Sequence, residues 1–275
     1  MGIFSSNFNR PGPGVPKDAP KKKGIARFFE IFTRDFSTLW KASMMLFLCS
    51  IPMLMSVLFL IVYHNYLMML LIGIVLVALS GLLTGPALCA CHSVILKTVR
   101  DQPGFFWHDF KKGWRSCWRQ SLGLNALFSG LLCMDLVALY LALMMNQSNV
   151  IIFACVILSL LIIVGVWLCV CLQIVFMTIP PMGMLKNGLL MLFGRAKRMV
   201  PATLVVLLMS GASVLCVPIP FLPLVVILGV PGWIMMWADM LAWPVMDEVF
   251  KIDEQQRARA QAAEEAERAQ AEQNP

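Results

Sequence analysis

Three long apolar stretches, residues 42–96, 120–185 and 199–246, alternate along the chain with four shorter blocks in which charged and aromatic residues mix. A hydrocarbon core about 30 Å thick needs roughly 20 apolar residues per helix. Each stretch is therefore long enough for two crossings and a tight turn. The pattern predicts an all-α membrane protein with six transmembrane helices arranged as three hairpins. The crossings fall at about 42–62, 67–88, 121–145, 150–178, 202–217 and 224–246. Three uncharged segments, 63–66, 146–149 and 217–223, would form the turns.

The blocks between the apolar stretches have a second period. Phe32, Phe36 and Trp40 recur at helical spacing among Arg34, Asp35 and Lys41, and Phe106, Phe110, Trp114 and Trp118 do so among Lys111, Lys112, Arg115 and Arg119. A helix with an aromatic stripe and a basic remainder lies in the membrane interface. Interfacial amphipathic helices are thus expected at about 27–41, 105–119 and 184–198, with those seven aromatic residues as membrane-interface anchors. The spacing Asp-Phe-x3-Trp-basic occurs at both Asp35 and Asp109. Duplication and a chance match between two amphipathic helices both account for it. Gly85-Pro86 divides the second apolar helix, so residues 87–100 are expected to bend out along the cytoplasmic surface. Gly229-Val230-Pro231-Gly232 should interrupt the sixth in the same way. Residues 1–23 read as a flexible Pro/Gly and basic arm without a cleavable signal, and 251–275 as a polar cytoplasmic tail.

Charge orients this arrangement. All 22 Lys and Arg residues fall in the four short blocks. Positive residues mark the cytoplasmic side, so both termini are expected there, in a multi-pass protein of a plasma membrane. The net charge of +7 raises nucleic acid as a partner. The apolar stretches leave no soluble domain to carry a groove-reading element, and the anionic cytoplasmic leaflet of the lipid bilayer is the expected partner instead. Only 13% of residues are charged, about half the share usual in a soluble domain. Eight of nine cysteines lie inside apolar segments, so they read as small apolar filler rather than as a disulfide framework or metal site.

The segments RPGPGVPKDAPKKKGIARFFEIF and LLTGPALCACHSVILKTVRDQPGFFWHDFKKGWRSCWRQSLGLNALF resemble the YesL-like family of bacterial integral membrane proteins, catalogued as domain of unknown function 624. The resemblance is carried by residues 8–130. It implies a cell-membrane protein of Gram-positive bacteria, linked to carbohydrate uptake and partnered by a membrane protein such as a transporter. The family defines no catalytic residues, so none is carried over.

Candidate chemistry is sparse. Asp135 and Asp239 are the acidic residues inside the predicted crossings, where a charge costs about 2.5–3.5 kcal/mol on insertion scales. No Lys or Arg lies in a crossing to pair with them, so both are expected neutral or bonded to hydroxyls and amides. Asp135 and Ser159 lie at equal distances either side of the 146–149 turn, at one depth, and form the expected pair. With Gln173 they make up a candidate intramembrane polar site of Asp135, Ser159, Gln173 and Asp239. His64, His92 and His108 lie far apart and read as interface residues. No H-E-x-x-H, G-x-S-x-G or P-loop occurs, so no enzyme, metal or cofactor is expected. Two function classes remain: a non-enzymatic accessory or scaffold protein, or a small transporter or channel acting through Asp135 and Asp239. An intramembrane enzyme ranks third.

Overall fold

A computed structural model describes residues 24–144, 150–215 and 222–252, together with 254, 255, 258, 261 and 262. The predicted turns at 146–149 and 217–223, the 1–23 arm and most of the 251–275 tail lie wholly or largely outside these residues. Among the described residues the regular structure is entirely helical. The elements are α1 (Ile25–Arg34), α2 (Phe36–Tyr63), α3 (Leu67–Val99), α4 (Phe106–Met144), α5 (Val150–Phe176), α6 (Pro181–Gly194), α7 (Ala196–Leu215) and α8 (Leu222–Phe250). Four of them, α2 to α5, are long and apolar enough to cross a membrane. Their outer surfaces match that solvent: Leu67 and Met68 are each 74% exposed, and such side chains run along all four helices.

α3 is the centre of the bundle, packing on α2, α4, α5 and α8, while α7 lies against α5 and α8. α3 and α4 run antiparallel and close together, because glycines on one meet short polar side chains on the other. Gly85 faces Asn125, Gly81 faces Ser129, and Gly113 of α4 faces Ala90 and Ser93.

Several sequence expectations are corrected here, and at the two Gly/Pro sites the reason is that packing partners outweigh local breakers. Gly85-Pro86 does not divide α3, which continues to Val99. Its second half, expected on the surface, is largely buried, with Ala87, Cys89, Ala90, Cys91 and Ile95 fully enclosed. Residues 105–119 do not form a separate interfacial helix, since α4 passes unbroken from Phe106 into the apolar stretch. The expected 27–41 helix instead breaks at Asp35, and residues from Phe36 onward belong to α2. The 184–198 helix breaks at Arg195.

Nor does Gly229–Gly232 interrupt α8, which runs through Pro231. A proline inside a helix removes one backbone donor and disturbs the preceding turn. Ser43 of α2 mends this place. Its buried hydroxyl accepts the Gly232 amide at 2.8 Å and lies 2.9 Å from the Gly229 carbonyl and 3.1 Å from Leu39's, to which its proton can be given. Gly232 permits the approach, as an added Cβ would lie 2.5 Å from the Leu39 carbonyl oxygen. Ser43→Ala strands a buried amide and should destabilise the protein by about 1–3 kcal/mol. Thermal unfolding in detergent measures it; an unchanged midpoint would remove Ser43 from this role.

Candidate functional site

The second half of α3 and the middle of α8 bring together two ionisable side chains that lie 147 positions apart. Nδ1 of His92 sits 2.7 Å from Oδ1 of Asp239, with the two residues 4% and 0% exposed. Small residues make the approach possible. Ala238 and Ala242 on α8 are fully enclosed in the same apolar cluster as Cys89 and Leu96 of α3. A single proton shared by this pair leaves it neutral overall, whether written as acid and imidazole or as carboxylate and imidazolium. Two charges so paired are tolerable in a dry interior, whereas one alone is not. Oδ2 of Asp239 is buried and has no partner among the described residues.

Other polar groups surround this pair. Asn125 of α4 donates from Nδ2 to the Ser121 carbonyl at 3.0 Å and accepts Nε1–H of Trp167 on α5 at 2.7 Å. The Cys89 thiol neighbours Cys171 and Asn125, and the Cys91 thiol donates to the Ala42 carbonyl. The helices here are joined by hydrogen bonds as well as by packing.

The four residues of the expected polar site do not form one cluster. Ser159 of α5 donates its hydroxyl to Oδ1 of Asp135 on α4, both half-buried, and Oδ2 of Asp135 is buried without a partner among the described residues. Gln173 is fully buried between α5 and α6, where Nε2 donates to the Met184 carbonyl at 3.4 Å and Oε1 has no partner among the described residues. Asp239 joins His92 instead of either. His92 lies about two turns from the end of α3, beside the start of α4, while Asp135 lies near the opposite end of α4. His92, expected to be a solitary interface residue, is the member the sequence reading missed. The only signal for it was a histidine inside an apolar run, and the supposed break at Gly85-Pro86 had moved it to the surface.

The aromatic anchors divide as well. Phe106 and Phe110 are buried against Phe28, Ile31, Val94 and Ile95, so they hold protein rather than lipid. Phe32 packs edge-on against Trp233 at 5.1 Å, and Trp114 lies against Phe110. Trp40 and Trp114 are half-buried, while Phe36 and Trp118 remain exposed. Phe29, Phe105 and Trp107, none of them among the seven expected anchors, are more exposed than any of those seven.

At the basic end, Asp101 gathers the charges. It accepts Arg27 at 2.6 Å and Arg34 at 2.8 Å, tying α1 to the α3–α4 connection. Arg34 also reaches Asp35 at 2.7 Å, and Lys97 reaches Asp109 at 2.6 Å. Burial alone would lower the Arg34 guanidinium, but hydrogen bonds to Asp101 and Asp35 outweigh it and hold the group above its ordinary value. Arg100 stacks over Trp243 at 4.5 Å from the ring centre. Arg34, Asp35, Lys97, Asp101 and Asp109 border a cleft of about 470 Å³ in which these cations already face carboxylates. Among the described residues no group of three or more His, Cys, Asp or Glu is placed to hold a metal ion.

No family model, no curated protein and no solved structure matches the chain.

Proposed function

We propose that the chain is a non-enzymatic accessory or scaffold protein of a bacterial cytoplasmic membrane, crossing it six times as three hairpins with both termini on the basic, cytoplasmic side. One observation carries the accessory reading. Polar side chains of the apolar interior make bonds between helices at separate places, His92 with Asp239, Asp135 with Ser159 and Gln173 with the Met184 carbonyl. Groups so distributed join a bundle together; a carrier site would gather them around one substrate. The similarity of residues 8–130 to the YesL-like family supports a membrane-protein partner in carbohydrate uptake.

A second reading, a proton or cation pathway through Asp135 and Asp239, draws on the Oδ2 atom that each leaves without a partner among the described residues. Sealed liposomes containing the purified protein separate the two. The accessory reading expects no dissipation of an imposed proton or sodium gradient beyond that of empty liposomes. A flux that Asp239→Asn abolishes would overturn it in favour of the pathway. The topology has its own test in intact cells with a cysteine-free background. Membrane-impermeant maleimide should modify Ser148→Cys and spare Ser116→Cys, and labelling at position 116 would refute the cytoplasmic assignment.

A further inference from the structure

Four cations on the first half of α4 differ from those around Asp101. Arg27, Arg34 and Lys97 are all engaged by Asp101 or Asp109. Lys111, Lys112, Arg115 and Arg119 are exposed, and none has a carboxylate partner among the described residues. Lys111, Arg115 and Arg119 follow one another about a turn apart on the outward face of α4. Trp114 and Trp118 run alongside them with ring centres 5.6 Å apart, and Trp118 is exposed.

Contacts with α2 and α3 fix the level of this face. Lys41 is the last charged residue of α2, and the run from Ala42 to Tyr63 carries no charge. The Cys91 thiol of α3 donates to the Ala42 carbonyl, and Gly113 of α4 meets Ala90 and Ser93 of α3. Gly113 is therefore level with the point at which α2 becomes apolar. Arg115 and Arg119 lie about 3 Å and 9 Å further along α4, on the apolar side of that level. A cation without a counter-ion is costly at such a depth. A lipid phosphate already resides at this boundary, whereas an acidic protein segment would have to carry its own carboxylate into the same layer.

We propose that Arg115 and Arg119, with Lys111 and Lys112 beside them, hold the headgroup phosphate of an anionic phospholipid whose chain lies against Trp114 and Trp118. The site rests on the membrane-crossing reading of α4. It differs from a diffuse attraction of basic flanks to the leaflet in naming one helix face. Guanidinium groups suit a phosphate because they donate to two of its oxygens at once. Four cations with no nearby carboxylate favour a lipid of net negative charge over a zwitterionic one, whose own cation would meet theirs.

The test uses the full-length protein in phosphatidylcholine vesicles, with tryptophan fluorescence as the readout. Chain-brominated phosphatidylglycerol is titrated in, and chain-brominated phosphatidylcholine at the same mole fraction is the reference. The anionic lipid should quench more, because the site concentrates it beside Trp114 and Trp118. Arg115→Gln and Arg119→Gln should each raise the half-saturating mole fraction about 5-fold, the equivalent of about 1 kcal/mol for one basic residue. Trp114→Phe/Trp118→Phe should remove most of the excess quenching. Lys186→Gln/Lys197→Gln takes two cations from another basic block and should change nothing. Equal quenching by the two brominated lipids would overturn the site and leave this face to an acidic protein partner. A matching shift in the Lys186/Lys197 variant would also overturn it, as would excess quenching that survives loss of both tryptophans. Quenching by neither lipid would instead refute the membrane-crossing reading, and the site with it.

Discussion

Asp239→Ala is expected to be among the most damaging single substitutions in the chain, lowering stability by about 3–5 kcal/mol. His92→Ala should cost a similar amount. Each removes one member of a pair that is 4% and 0% exposed and leaves the other's polar atoms buried without a counterpart. The double variant His92→Leu/Asp239→Leu removes both polar groups and supplies apolar volume. It should recover most of the loss, because replacing a buried pair with packed hydrocarbon is often neutral or stabilising. The measurement is a double-mutant cycle by denaturant titration in mixed micelles. Additive single effects would show that the two residues do not act as a pair. Asp239→Asn is the informative intermediate. It keeps the shape and can still hydrogen-bond His92, but carries no ionisable proton, so a pair that serves only to join α3 to α8 should tolerate it better than alanine.

The second large effect is expected at Gly81. A Cβ added there would lie 2.8 Å from the Asn125 backbone carbonyl oxygen and 2.6 Å from the Ser129 hydroxyl oxygen. A side chain can rotate away, but a helix backbone cannot, so α3 and α4 would have to separate. Gly81→Leu should therefore cost about 3 kcal/mol, the upper end for overpacking a filled interior, and lower the yield of folded protein. Gly123→Ala is the control. It lies on the same α4 that these glycines meet, yet nothing stands within 4 Å of its added Cβ. It should be neutral or slightly stabilising, since alanine restricts the unfolded chain more than glycine does. Size-exclusion profiles and melting midpoints of the two variants compare them directly. Equal behaviour would mean that close packing at Gly81 does not hold α3 to α4.

Both effects depend on contacts far apart in sequence, and this bears on what could be read without coordinates. The apolar helices α2 to α5 follow from hydropathy and the fixed rise per residue, which need no partner to define them. The Asp135–Ser159 contact was also within reach, because counting equally from the turn at 146–149 places both at one depth on neighbouring antiparallel helices. Local rules extend that far: periodicity, rise and the symmetry of a short turn.

The tertiary structure alone decided what each helix face touches. An aromatic stripe looks the same whether it meets lipid or protein, so Phe106 and Phe110 could be placed on one face but not assigned to the core. Proline and glycine mark breaks only where nothing replaces the lost bond. Ser43 satisfies the backbone at Pro231, and close packing around Gly85 keeps α3 continuous through Pro86. His92 and Asp239 meet because α3 and α8 pack together across most of the chain's length, and no local pattern encodes that distance. Sequence determined which segments are helical and apolar, because those properties depend on neighbours along the chain. The site was decided by packing, because burial and pairing depend on neighbours in space.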